Sequence, residues 1–420
     1  MKNHLSEALK GISFISMPLI QYDVLFLRQS LLNDCSIQDK LYRAPATLFR
    51  RAFFPEKKKV EYSNSSDAKI LFYLSDPDRK SNIVNFKKVV STSDYSDILI
   101  EHHGKASFSI VGFHLLFILV PVWLFQMLGR GLSAVEKYQV LKGLLDVYRI
   151  QRLFKTIDAK RYNLLVCYYD SILHECMLTL MFKKAGVHTA TLQHGQFNAW
   201  RENTYVNCGL EFYASPSDYQ LCWNRFARDE AMKCGWKSDQ LPVVGVMSNI
   251  GRGRERCVKP RNGTFGVVIS HPSWEHENVE MINAANLLAS KLGFKYYLKL
   301  HPNYKEDYFE TIVDKRFYIG NITKGIDTLQ YVNMVDFTIV GSTSFFVEMV
   351  YLYHDILRFS TQLPSDKYKD ITIGCVFHRQ GEVLDCYNNF NEEDKVKLFS
   401  YLCESEDTFS LYKKFFERFL

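Results

Sequence analysis

From Tyr162 to Gly195 the chain spells an apolar strand, a helix and a second apolar strand in close succession, and few folds accept that order. "YNLLVCYYD" (162–170) carries no charge before Asp170, as a strand buried on both faces requires. "SILHECMLTLMFKKAG" has helical spacing and stops at Gly186, and "HTATLQHG" (188–195) returns to a strand. Two strands joined through a helix lie parallel with a right-handed crossover. Such a sheet binds its ligand in the crevice at the carboxyl ends of the strands. Asp170, Gln193 and His194 occupy such ends. Gly195 allows a substrate to come close or the backbone to take a positive φ. Asp170 and Glu175 are rival bases or orienting carboxylates beside His194, and Asp170 followed by Ser171 also reads as a helix cap.

The same rhythm restarts downstream. "TFGVVISHP", the helix "VEMINAANLLASKLG" and "FKYYLKLHP" form one unit, and "VDFTIVG", "TSFFVEMVYLYH" and "DILRFS" another. Between the halves, "IGRGRERCVKPRNG" is rich in Gly and Arg and has no period, as a linker would. Upstream, "AKILFYLSDPDR" and "YSDILIEHHG" read as strands, and the last 29 residues as paired amphipathic helices. The expectation is an α/β chain with two Rossmann-like domains facing a cleft: 1–250, a linker at 251–262, and 263–420. With 420 residues, each half is long enough for its own core.

Charge and cysteines narrow the class. A net charge of +6 without a concentrated basic stripe suits an acidic ligand or an anionic surface better than nucleic acid. The ten cysteines are scattered with no Cys-x-x-Cys, which fits a reducing compartment and predicts no metal. Residues 106–129 are uncharged and nearly all apolar. Their length suffices for a membrane span, but His114, Pro121 and Gln126 dilute the signal. A buried helix pair and a helix lying in the membrane interface stay open beside it. The basic residues Arg43, Arg50, Arg51 and Lys57 to Lys59 favour the interface.

Three more stretches carry chemistry. Gly341-Ser342-Thr343-Ser344 ends a strand and opens a helix, which suits a phosphate on backbone N–H groups. The rival role is plain N-capping. Glu348, four residues after Ser344, can accept from ribose hydroxyls. Lys299-Leu300-His301-Pro302-Asn303 ends another strand, where Pro302 holds His301 extended and a ring can donate to a phosphoryl oxygen. The loop Ser270-His271 to Glu277-Asn278 borders the same edge and is crowded with polar groups; ligand contacts are expected there, from His271 among others, without individual roles.

Taken together, these motifs resemble the GT-B glycosyltransferases, in particular the branch with a His-Pro pair and a Ser/Thr cluster. That branch holds capsule sialyl- and Kdo transferases and teichoic-acid polymerases of the CDP-glycerol glycerophosphotransferase type. UDP-N-acetylglucosamine 2-epimerases share the strand, Ser-rich turn and Glu-bearing helix. The likeness covers about 162 to 360. It implies that His301, Pro302, Ser342, Thr343 and Ser344 hold the donor phosphates, Glu348 the ribose, and His194 the acceptor proton. Where the polymerases carry Trp before His-Gly, this chain has Gln193. The implied function is transfer of a sugar or polyol phosphate from a CMP-, CDP- or UDP-linked donor to a surface polysaccharide or glycolipid. It would need no metal or other cofactor and would proceed on the cytoplasmic face of the cell membrane. A nucleotide-sugar epimerase or hydrolase, and a non-catalytic sugar-nucleotide or polysaccharide-binding protein of a capsule assembly complex, are the alternatives.

Overall fold

The computed structural model describes residues 59–63, 65–75, 80–102, 157–170, 173–193, 195, 215–247, 262–322, 326, 328–363, 366–403 and 407–420, with isolated positions at 49, 53, 108, 117, 120, 121 and 154. His194, the expected linker up to Arg261 and most of 106–129 lie outside them. Of the apolar segment, Phe108, Phe117 and Pro121 are described and exposed, and Val120 is described and buried. Among the described residues no helix is long and apolar enough to cross a membrane.

Two six-stranded sheets organise the molecule. The first runs β1(Lys59–Tyr62), β3(Ser96–His102), β2(Ile70–Ser75), β4(Leu164–Cys167), β5(His188–Leu192), β6(Tyr219–Leu221). It is parallel except for β1, an antiparallel edge strand in a stretch where the sequence shows no clear pattern. Strands β2 and β4 are buried along their whole length, as their unbroken apolar runs demand. The second sheet is wholly parallel, in the order β12(Cys375–Phe377), β11(Ile356–Phe359), β10(Phe337–Val340), β7(Thr264–Val268), β8(Lys295–Lys299), β9(Tyr318–Asn321). This is the α/β architecture expected, a pair of Rossmann-like sheets. Strand order reverses between β2 and β4 in the first sheet and between β7 and β10 in the second, and ligand crevices open at such reversals.

Helices connect the strands: α1(Lys80–Val90), α2(Leu173–Lys184), α3(Arg225–Lys233), α4(Glu275–Leu292), α5(Thr328–Met334), α6(Phe345–Tyr351), α7(Val383–Asn388), α8(Glu392–Leu402) and α9(Thr408–Phe416). Gly293 closes α4 with φ 71°, a left-handed turn that an L side chain resists. After β6, Val243 makes a single parallel bridge with Cys222.

The paired helices at the end separate. Helix α8 packs beside α6 and α3, with Leu398 and Leu402 in the cluster around Phe346. Helix α9, numbered by sequence with the second half, instead joins the core of the first sheet. Phe416 meets Phe72 edge-on at 5.1 Å, and Tyr412 donates to the Gly245 carbonyl at 3.1 Å. Trp223 and Phe226 from the first half share an apolar cluster with Val347 and Tyr368 from the second. The two sheets are thus held together through this cluster.

Candidate active site

Adjacent strands β8, β7 and β10 deliver His301, His271 and the Gly341–Ser344 turn to one edge of the second sheet. Asn278, in the first turn of α4, shapes that edge. Its side chain accepts from Ser270 N at 2.8 Å and donates to Ser270 O at 3.1 Å and the Tyr304 hydroxyl at 3.1 Å. The rings of His271 and His301 meet edge to face with centroids 5.0 Å apart. Asn303 contacts both: its N–H donates to His301 Nδ1 at 3.3 Å and its amide to His271 Nε2 at 3.1 Å. The neutral His301 ring therefore carries its proton on Nε2, as a donor to a phosphoryl oxygen requires. Partial burial, helped by the charge of Lys367, lowers the His271 pKa. Pro302 is exposed beside His301.

The Gly341–Ser344 turn differs from the simple cradle its sequence suggests. Helix α6 has only seven residues, so its dipole is short, and Ser344 stands at its start with helical angles and no side-chain cap bond. The Ser342 N–H donates to Glu277, a buried carboxylate on α4 that also accepts from Ser270 Oγ at 3.2 Å. Gly341 is required by this approach, since a Cβ there would stand 1.8 Å from Glu277 Oε1. Burial raises the Glu277 carboxyl to about 7 against the bond from Ser342, with Asp366 nearby adding to the rise. Ser342 Oγ donates to Asp366 at 3.2 Å, and the Thr343 carbonyl accepts the Tyr368 hydroxyl at 3.0 Å. Glu348 is half-buried and accepts from the Thr328 hydroxyl; burial raises its pKa while Lys299 opposes the shift.

Of these partners, Glu277 lay in a stretch already marked as polar and bordering the cleft, one turn into its helix. Asp366 and Arg358 gave no sequence signal. Arg358 is a buried cation on β11 with Nη1 3.6 Å from Asp366.

On the first sheet, Gln193 is buried and joins its own loop after β5 to the segment after β6. Its amide donates to the Gly195 carbonyl at 2.8 Å, and its oxygen accepts from Trp223 N at 2.6 Å. Asp170 is buried under Ser215 Oγ at 2.7 Å and Ser217 N at 3.1 Å, with its pKa raised by burial. Glu175 is wholly buried. It accepts from Ser75 N at 2.8 Å, Ser75 Oγ at 3.1 Å and the Tyr169 N–H, and burial pushes its carboxyl up to about 8. So enclosed, Glu175 ties the ends of β2 and β4 together and has no surface to offer a substrate.

The two edges meet. A Cβ on Gly195, past the end of β5, would stand 3.5 Å from Ser344 Oγ, past the end of β10. Beside this contact, the Tyr351 hydroxyl on α6 donates to the Trp223 carbonyl at 3.0 Å, linking the two halves. The structure therefore brings Gln193, Gly195, Ser342, Thr343, Ser344 and Glu348 together, with His271, His301 and Pro302 along the same edge. A cavity of about 460 Å³ lined by Asn163, His188, Tyr219 and Arg418 lies elsewhere, at the amino ends of β4 to β6. Among the described residues no group of three His, Cys, Asp or Glu side chains forms a cation site.

No protein-family model matches the chain, and no curated protein is similar to it in sequence. Solved structures share its fold. The S. aureus MnaA–UDP co-structure superposes with a TM-score of 0.52 at 8% identity, over 82% of this chain and 94% of that one. A UDP-N-acetylglucosamine 2-epimerase gives 0.51 at 10% identity, over 82% and 94%. The wall teichoic acid polymerase TagF aligns over 94% of this chain and 98% of its own at 10% identity, with a TM-score of 0.45. The fold is the GT-B arrangement. At such identities the likeness extends no further than fold.

Proposed function

We propose that this protein is an enzyme acting on a nucleotide-activated sugar, and that it transfers the sugar or polyol phosphate to a hydroxyl of a surface polysaccharide or glycolipid. The observation that supports it most is the approach of Gly195 to Ser344 across the two sheet edges, with the His271–His301 pair alongside. A donor bridging these edges places its phosphates by Thr343 and Ser344, Ser342 being engaged by Glu277 and Asp366, and its ribose by Glu348. His301 donates through Nε2 to the departing phosphate, where charge builds in the transition state. A base from the first sheet takes the acceptor proton; His194 and Asp170 are the candidates by sequence. These groups supply the compensating dipoles without a metal. The basic N-terminal clusters and the apolar stretch 106–129 support work at the inner face of the cell membrane, as a peripheral contact.

Purified protein given CMP-, CDP- and UDP-linked donors together with polysaccharide or glycolipid acceptors should release nucleotide. His301→Ala should lower that release by roughly 10²- to 10³-fold, the usual cost of one donor to a developing charge. Unchanged turnover removes His301 from the mechanism. Epimerase or hydrolase chemistry is the second reading, favoured by the epimerase among the fold neighbours. An altered stereocentre or free sugar formed without any acceptor selects it. Tight binding without turnover would instead mark a sugar-nucleotide-binding protein.

A further inference from the structure

We propose that His174, oriented by Glu101, is the group that takes the proton from the attacking hydroxyl; this rests on the transferase reading above. His174 is the second residue of α2, at the carboxyl edge of the first sheet, and Glu101 lies near the end of β3. Their atoms Nδ1 and Oε2 are 2.7 Å apart. Glu101 is wholly buried, and its other oxygen accepts the Tyr73 hydroxyl at 2.6 Å. A carboxylate engaged this way accepts at both oxygens, so the imidazole offers it Nδ1–H. That selects one tautomer and leaves the lone pair on Nε2, the arrangement by which a buried acid prepares a histidine base.

Exposure separates His174 from its neighbours. The carboxylates Glu101, Asp170 and Glu175 at this edge are each no more than 2% exposed. The His174 side chain is 24% exposed, and among the described residues its Nε2 makes no hydrogen bond. Among the described residues, Glu101 on β3 contacts it, Tyr73 on β2 bonds to Glu101, and Asp170 before the helix and Glu175 within it are the other carboxylic groups near its place in the sequence. In the step itself, the acceptor oxygen bonds to the anomeric carbon of a sugar donor, or to the glycerol-bearing phosphorus of CDP-glycerol, as its O–H bond breaks. The proton passes to Nε2, and the bond from that carbon or phosphorus to the leaving nucleotide's phosphate oxygen breaks with its electrons staying on that oxygen.

The test is nucleotide release from UDP-N-acetylglucosamine and CDP-glycerol between pH 5 and 9 in the presence of a polysaccharide or glycolipid acceptor, above the release without acceptor, with donor affinity measured separately by calorimetry. His174→Ala should lower kcat by about 10²- to 10⁴-fold, the range for a positioned base, and should abolish the acidic limb of the profile without changing Kd. Glu101→Gln, which keeps an acceptor for Tyr73 but spoils the tautomer, should lower kcat and leave Kd alone, and it serves if the alanine variant does not fold. An unaltered acidic limb in both variants overturns the proposal, as does its loss in His194→Ala with His174→Ala unaffected. If the wild type neither binds nor turns over either donor, the nucleotide-sugar reading falls and takes this one with it.

Discussion

Glu175 and Glu277 occupy equivalent places in two different sheets. Each is a buried carboxylate closing the gap where strand order reverses. Glu175 accepts from the last residue of β2 and a residue following β4, and Glu277 from residues following β7 and β10. A ligand entering either crevice meets backbone that the protein's own carboxylate already holds. Both groups have raised pKa values, near 8 and near 7, because burial penalises their charge more than the donated bonds relieve it.

Stability should therefore fall as pH rises through neutrality. An acid whose folded pKa is raised binds its proton more tightly in the folded state. Its contribution is complete below the unfolded value of about 4.5 and lost as pH rises through about 7 for Glu277. Glu277→Gln keeps the oxygen that accepts from Ser342 and Ser270 and places its amide where Oε2 has no partner. Urea midpoints between pH 5 and 8 should decline less in the variant, the difference not exceeding about 1.4 kcal/mol per pH unit. Identical slopes would show that Glu277 does not titrate there.

Gly341→Ala should destabilise the protein by about 1–3 kcal/mol, since the new methyl overlaps Glu277 Oε1 in a packed interior. Adding Glu277→Ala removes the obstructing atom, so the double variant should be more stable than the sum of the single losses allows. Denaturant titration of the four proteins measures it, and simple additivity would contradict the contact.

Phe416→Ala should cost about 3–5 kcal/mol, as for other large aromatics removed from a core. The loss should appear in the first sheet even though the residue lies at the end of the sequence. Hydrogen exchange tests this: the amides of Ile70–Ser75 should lose protection before those of Thr264–Val268.

Gly195→Ala introduces a methyl at ordinary contact distance from Ser344 Oγ, so melting should barely change. The same methyl narrows the place where donor and acceptor are proposed to meet, and nucleotide release should drop clearly. A variant as active as the wild type would place the reaction elsewhere.

Local pattern alone was enough for the longer parallel strands, because a strand buried on both faces must be apolar throughout and its connecting helix must show a different period, whereas the three-residue parallel strands β6 and β12 are too short to show such a run. It also located the strand ends at His271, His301 and Gly341, since an apolar run stops where the backbone leaves the core. The short antiparallel β1 escaped notice because an edge strand needs no such run. The partners of those strand ends depended on the fold. Glu277 reaches Ser342 across 65 positions, Gly195 faces Ser344, and Glu101 meets His174, contacts that exist only once distant segments share an edge. Helix α9 makes the same point: its amphipathic stripe was visible in the residues, but only packing decided which of two apolar surfaces it would cover.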